Sequence, residues 1–152
     1  MVYASGAGME PEEHYRRLER LYAAAPINRY YEPSLRVREA NAELTIPIKA
    51  DFFHAAGAVH GSVYFKALDD AAFFAANSLV FDVFVLTASF NVYFTRPVSE
   101  GELRATGTVV HRSRNLIVAE SVVLDSKGRP VGRGSGSFMR SQIALTAEIG
   151  YA

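Results

Sequence analysis

The stretch His54-Ala-Ala-Gly-Ala-Val-His60-Gly61-Ser62-Val-Tyr-Phe-Lys66-Ala-Leu-Asp69-Asp70-Ala-Ala-Phe-Phe-Ala-Ala-Asn77-Ser-Leu79 decides the fold. A short apolar loop runs into His60-Gly61-Ser62, and from there to Leu79 the residues predict one long helix. No Pro interrupts it, no Gly follows Gly61, Val63 is its only β-branched residue and Ala recurs throughout, so propensity favours helix. At about 100° per residue, Ser62, Lys66, Asp69, Asp70 and Asn77 gather into one polar stripe roughly 100° wide. The rest of the wheel is Val, Tyr, Phe, Ala and Leu, which predicts a largely buried helix. Two adjacent carboxylates beside such a stripe are costly unless they are paired or used.

Outward from this helix, the chain offers strands. Ala42, Leu44, Ile46 and Ile48 alternate with Glu43, Thr45 and Lys49 within an extended region, 29–49, and Pro47 marks an edge or a strand end. Asp51 to Val59 reads as a loop with exposed aromatics, Phe52 and Phe53. After the helix come four segments separated by turn signals: Phe84 to Thr95, Leu103 to His111, Leu116 to Leu124, and Pro130 to about Ile143. Short connections between them predict an antiparallel meander. Gly132, Gly134 and Gly136 share one face of the last strand, which points to curvature or close backbone approach, since no helix follows to make a phosphate loop. Met9 to Ala25 predicts an amphipathic helix with Pro11 near its start, acidic residues in its first turn, and Leu18, Leu21 and Tyr22 as its apolar edge. Residues 1–8, small and Gly-rich, are expected to be disordered, and Thr146 to Ala152 carry no signal. The architecture that fits is α+β: a curved antiparallel sheet wrapped around one central helix, with a helix of roughly 27 Å matched to strands of about 30 to 40 Å.

The 152 residues suit a single domain. Apolar residues make up 49% and charged residues 21%, a globular balance, and sixteen basic residues cancel sixteen acidic ones. No global field therefore draws the chain to nucleic acid or an anionic membrane. The absence of cysteine excludes disulfides, thiolate metal sites and a Cys nucleophile. The first residues lack the pattern of a signal peptide, and no apolar run reaches the roughly 18 to 20 residues of a membrane span; a cytoplasmic protein is expected.

His54 is followed six residues on by His60-Gly61-Ser62, then by Asp69 nine after His60, then by the helix body Asp69 to Ser78. Thr87-Ala-Ser-Phe-Asn-Val-Tyr-Phe-Thr-Arg-Pro97 and the hairpin Val109-Val-His-Arg-Ser-Arg-Asn-Leu116 come next. In this order and at this spacing, these pieces resemble the hotdog-fold acyl-CoA thioesterases of the phenylacetic-acid-degradation and hydroxybenzoyl-CoA types. The likeness covers roughly residues 33–141. It departs from the family pattern at Ser62, where a second Gly is usual, and at His54, where an Asn or Gln is usual.

The resemblance implies thioester hydrolysis, with acyl-CoA as substrate, no separate cofactor, and a homodimer or a dimer of dimers. It assigns the Gly61 N–H to the oxyanion of the transition state, a role suited to a helix N-terminus whose amides are unpaired and to a residue without a Cβ. The spacing from His60 makes Asp69 the family carboxylate, base or nucleophile. Asp70, four residues from Lys66, is suited to a salt bridge instead. His60 is read as fixing the loop–helix junction or acting as a base, His54 as touching substrate, and Thr87 as supporting the carboxylate or a water. Arg112, Arg114, Asn115 and Arg140, with Arg133, are candidates for the phosphates of CoA. The histidines and Asp69 form no closed metal-ligand set, so no metal is expected.

Eight residues separate Gly61 from Asp69, roughly 12 Å along a helix, too far for one subunit's pair to serve one carbonyl. Two antiparallel helices across a two-fold axis would bring each Gly61 to the partner's Asp69. A non-catalytic acyl-CoA binding or sensing module on the same fold is the alternative reading, because a fold does not fix function.

Overall fold

The computed structural model describes residues 8–152. Apart from Gly8, an exposed turn residue, the N-terminal stretch expected to be disordered lies outside these residues. The elements, in order, are helices α1 (Pro11–Ala24) and α2 (Asn28–Tyr31), strands β1 (Ser34–Arg38) and β2 (Asn41–Pro47), helix α3 (Gly61–Asn77), and strands β3 (Val83–Phe94), β4 (Glu102–Arg112), β5 (Leu116–Leu124) and β6 (Pro130–Ala144). One six-stranded antiparallel sheet, in the order β1-β2-β4-β5-β6-β3, wraps around α3. This is the hotdog architecture.

Helix α3 lies directly against the sheet, because its sheet-facing residues are small. Ala67, Ala71, Ala72, Ala75 and Ala76 are fully buried. Opposite them stands Gly107 on β4, where a Cβ would lie 2.2 Å from the Ala71 carbonyl oxygen and 2.5 Å from the Ala72 nitrogen. Its cross-strand partner on β5, Ser121, donates from Oγ to the Leu68 carbonyl at 2.8 Å. One position thus removes a side chain to admit the helix backbone, and the next supplies a hydrogen bond that holds it. Asn77, expected in the polar stripe, is fully buried instead, donating to the Val80 and Val83 carbonyls and accepting from the Val85 N–H. It ties the end of α3 to the start of β3.

The four strands after α3 do not form a simple meander. β4, β5 and β6 do, but β3 pairs with β6, at the far edge of the sheet, and β4 is inserted beside β2. The segment 95–101 is therefore a crossover along one end of the sheet and not a hairpin turn. The glycines of β6 explain the pairing. Cβ atoms at Gly134 and Gly136 would lie 2.5 and 2.3 Å from the Phe90 ring of β3, so the glycine stripe is the slot into which Phe90 lies. A bulge at Ala88 interrupts the register between the Thr87–Phe138 and Ser89–Ser137 pairs. Beyond it Phe90 and Val92 face the helix; before it Val85 and Thr87 do, because the extra residue reverses the alternation.

α1 covers the flank of α3 through Leu18, Leu21 and Tyr22, all buried as expected. Phe52, expected to be exposed, is buried in a cluster with Tyr30 and Tyr31. His14 of α1 is fully buried between the Asn77 carbonyl, 2.9 Å from Nε2, and the Tyr151 hydroxyl, 2.6 Å from Nδ1. The C-terminal residues that carried no sequence signal therefore close the core at one end of α3.

Gly107→Ala is expected to be the most damaging single-methyl insertion in the sheet, since the obstructing atoms are helix backbone. A loss of about 3 kcal/mol, or a Tm lower by at least about 6 °C, is predicted. Ser121→Ala, which leaves the space unchanged and removes one hydrogen bond, should cost about 1 kcal/mol. Thermal unfolding of both variants checks the order.

Candidate active site

The N-terminus of α3 is built by its own loop. His54 donates its N–H to the Ala58 carbonyl at 2.9 Å, and the Gly57 N–H donates to the His54 carbonyl at 3.0 Å. Gly57 takes φ +82° to close this turn, a left-handed conformation that favours glycine. The Val59 N–H donates to the Val98 carbonyl at 2.9 Å, pinning the loop to the crossover. His60 then caps the helix. Its Nδ1 accepts from the Ser62 N–H at 3.0 Å and lies 2.8 Å from the Ser62 hydroxyl, while its carbonyl accepts from the Val63 N–H at 3.0 Å. This is the junction role foreseen for His60, and Ser62, in place of a second Gly, joins the cap. With those two amides taken, the N–H of Gly61 has no acceptor among the described residues. It opens on a depression of about 690 Å³ that His54, His60, Tyr64 and Phe94 also line. His54 is exposed there, its Nδ1 accepting from the Ala56 N–H at 3.1 Å.

The two neighbouring carboxylates of α3 have different partners. Asp70 accepts from Lys66 Nζ at 2.7 Å, the i, i+4 pair expected, and from the Tyr22 hydroxyl at 2.6 Å. Both donors are held by α1 and α2: the Lys66 ammonium lies 5.3 Å from the Tyr22 ring centre and 4.9 Å from that of Tyr31. Burial and the adjacent Asp70 charge push the Tyr22 phenol far above its usual range, so it stays a donor. Tyr22 was legible only as a packing residue of the first helix, since nothing local in the sequence links it to Asp70.

Asp69 faces the other way, towards β3, where Thr87 Oγ1 donates to its Oδ1 at 2.9 Å. No cation pairs with it directly among the described residues. Burial, with a further contribution from the Asp70 charge, raises its carboxyl to about 6 against the pull of Thr87 and Lys66. Asp69 is thus a half-buried carboxylate held, among the described residues, by one hydroxyl, beside a second carboxylate whose Oδ2 receives both an ammonium and a phenol. Its other oxygen, Oδ2, has no hydrogen-bond donor among the described residues.

Arg112, Ser113, Arg114, Asn115 and Arg140 converge on a third place, a depression of about 580 Å³ beside Val80 and Phe138. Arg112 Nη2 donates to the Leu79 carbonyl at 3.0 Å, and Arg140 Nη2 to Asp82 at 2.5 Å. Arg133 does not belong with them; it lines a separate groove with Asn91, Tyr93 and Glu120. One chain therefore gathers its candidate residues into three groups: His54, His60 and Gly61; Asp69 with Thr87; and the arginine cluster. It does not unite Gly61 with Asp69, which is not among the residues lining the depression beside Gly61. Among the described residues no cluster of three His, Cys, Asp or Glu side chains suits a metal ion, and no helix is long and apolar enough to cross a membrane.

Comparison with known proteins agrees with this fold. The model of the thioesterase superfamily matches residues 56–131, half of the chain. The structure is similar to that of the E. coli PaaI protein from the phenylacetic acid degradation operon, with a TM-score of 0.81 at 20% identity over 90% of this chain and 99% of that one. It is also similar to a thioesterase family protein from Silicibacter pomeroyi, with a TM-score of 0.77 at 23% identity over 86% and 97% of the two chains. A protein of Saccharolobus solfataricus, provisionally named an esterase, is 21% identical over 127 residues, 84% of this chain and 87% of its own. With the family's sequence model spanning α3 and strands β3 to β5, and the helix wrapped by the sheet in the same way, the chain belongs to the thioesterase superfamily.

Proposed function

We propose that the protein hydrolyses an acyl-CoA thioester, with an aryl or medium-chain acyl group, to the free acid and CoA. The observation that carries this reading is the division between the two carboxylates of α3: Asp70 takes an ammonium, Lys66, and a phenol, Tyr22, on its Oδ2, whereas among the described residues Asp69 is bound by Thr87 alone. Asp69 acts as the base that activates water, or as the nucleophile. The Gly61 N–H of the other subunit stabilises the oxyanion, at a helix N-terminus where backbone amides point at developing negative charge. Thr87 holds the carboxylate in one orientation. His54, exposed beside Gly61, contacts the thioester. The arginines 112, 114 and 140, with Asn115, bind the phosphates of CoA. The acting unit is a homodimer, open to pairing into a dimer of dimers, in the cytoplasm.

A free-thiol release assay over aryl, medium-chain and long-chain acyl-CoAs tests the activity directly; release from none of them would contradict it. Asp69→Asn is expected to lower kcat at least about 100-fold, while Asp70→Asn retains much more activity. The reverse order would overturn the assignment. In the wild type, kcat should rise with pH through about 6, as the Asp69 carboxyl loses its proton.

The same carboxyl has a stability signature. Its folded value of about 6 lies above its ordinary 3.8, so the folded chain binds the proton more tightly and loses stability as pH rises through that interval. Asp69→Asn should therefore melt above the wild type at pH 8, with the difference vanishing below about pH 4. Separately, Arg114→Ala should raise KM for the CoA thioester at least about fivefold. It should leave KM for the matching pantetheine thioester, which lacks the nucleotide phosphates, unchanged.

A further inference from the structure

Gly61, Phe65 and Asp69 are spaced four residues apart on α3, which places them on one ridge of the helix, each a single turn from the next. Phe65 is the exception on an otherwise buried apolar surface. It is 41% exposed, whereas Val63, Tyr64, Leu68, Phe73 and Phe74 are all buried. Its ring meets that of Phe90 edge-on, with centroids 5.4 Å apart. Phe90 is itself fixed, because it lies in the slot left by Gly134 and Gly136. The chain therefore holds a large apolar side chain rigidly at its surface, one turn from the proposed oxyanion donor and one turn from the proposed carboxylate.

The position acquires a further meaning if each active site combines Gly61 of one subunit with Asp69 of the other, a reading on which this inference rests. An antiparallel pairing that opposes residues 61 and 69 has residue 65 at its midpoint, so Phe65 faces its own copy across the two-fold axis. A carbonyl held between Gly61 and the partner's Asp69 is then flanked by Phe65 from one subunit and by its symmetry mate from the other. We infer that Phe65 is the specificity-determining residue of the enzyme: the two Phe65 rings form the shared wall between the two sites and limit the size of the acyl group each accepts. An apolar wall of this kind discriminates by steric fit, and one or two carbon units are enough to be read out as about a 10- to 200-fold preference.

Phe65 lies at the surface of the chain, so truncating it does not hollow the core, and Phe65→Ala and Phe65→Trp should both fold, as their melting curves would show. Measured by thiol release, the kcat/KM ratio for decanoyl-CoA over butyryl-CoA should rise at least about tenfold in Phe65→Ala. It should fall in Phe65→Trp. An unchanged order of substrates in both variants would overturn the role in selection. Placement is tested without reference to activity. The chain has no cysteine, so thiols introduced by Phe65→Cys are unique, and a short bis-maleimide should join two subunits into a covalent dimer. No covalent dimer from a protein that sediments as a dimer would overturn the position at the two-fold axis. A wild-type protein that releases no thiol from any acyl-CoA would instead contradict hydrolysis itself, and the cross-link would still decide where Phe65 lies.

Discussion

The seat of α3 on the sheet is the constraint on which the rest of the molecule depends. At Gly107 the helix backbone replaces the side chain that β4 would otherwise present, and at Ser121 a hydroxyl fastens the Leu68 carbonyl. Contact between backbones leaves little freedom for the helix to slide or rotate, since interiors are close-packed and any shift collides with helix or strand. With the axial position of α3 fixed, so are the places of its functional groups. Gly61 stands at the N-terminus beside the crossover, and Asp69 stands two turns on, opposite Thr87 of the edge strand. The separation of about 12 Å is thus a rigid property of the fold, and it is what makes a second subunit necessary to the chemistry proposed here.

The same seat separates the electrostatics of two adjacent carboxylates. Residues 69 and 70 differ by about 100° around the helix, enough to send one towards β3 and the other towards α1. On the α1 side, Tyr22 and Lys66 both bind Oδ2 of Asp70 in a half-buried ion pair, where removing Lys66 would leave an uncompensated charge. On the β3 side, Asp69 receives one hydroxyl and keeps its proton to about pH 6. The neutralising charge comes from Lys66 of α3 itself, and the N-terminal helix adds a neutral donor, Tyr22, that helps hold the Asp70 carboxylate on the side away from β3.

Much of this was legible in the sequence because it follows from local pattern. The Ala-rich run after His60 marked the central helix, alternation marked the later strands, and the Lys66–Asp70 spacing assigned the salt bridge. What was not legible depends on long-range pairing or on a change of register. The glycines of β6 signalled a close approach, but only the structure identifies Phe90 as what approaches, and with it the pairing of β3 with β6 in place of a meander. Thr87 shares the helix-facing side with Val85 only because a bulge at Ala88 reverses the alternation seen from Ser89 to Tyr93; no residue type announces that bulge. Tyr22, His14 and Tyr151 act through partners 48 to 137 residues away, and Asn77 reads as a polar stripe residue until the chain folds back on it. Arg133 matched the other arginines in type alone and lies on a different part of the surface.

The central claim is that each active site takes its oxyanion donor from one subunit and its carboxylate from the other, and subunit mixing tests it most directly. Gly61→Pro removes the donor at a first-turn position that tolerates proline, and Asp69→Ala removes the carboxylate; each homodimer should be inactive. Equal amounts exchanged at random place half of the subunits' pairings in mixed dimers, each with one site whose donor and carboxylate are both intact. Recovery to about a quarter of wild-type activity is therefore predicted, whereas no recovery, with both parents folded and exchange demonstrated by a tagged subunit, would contradict a site shared between subunits.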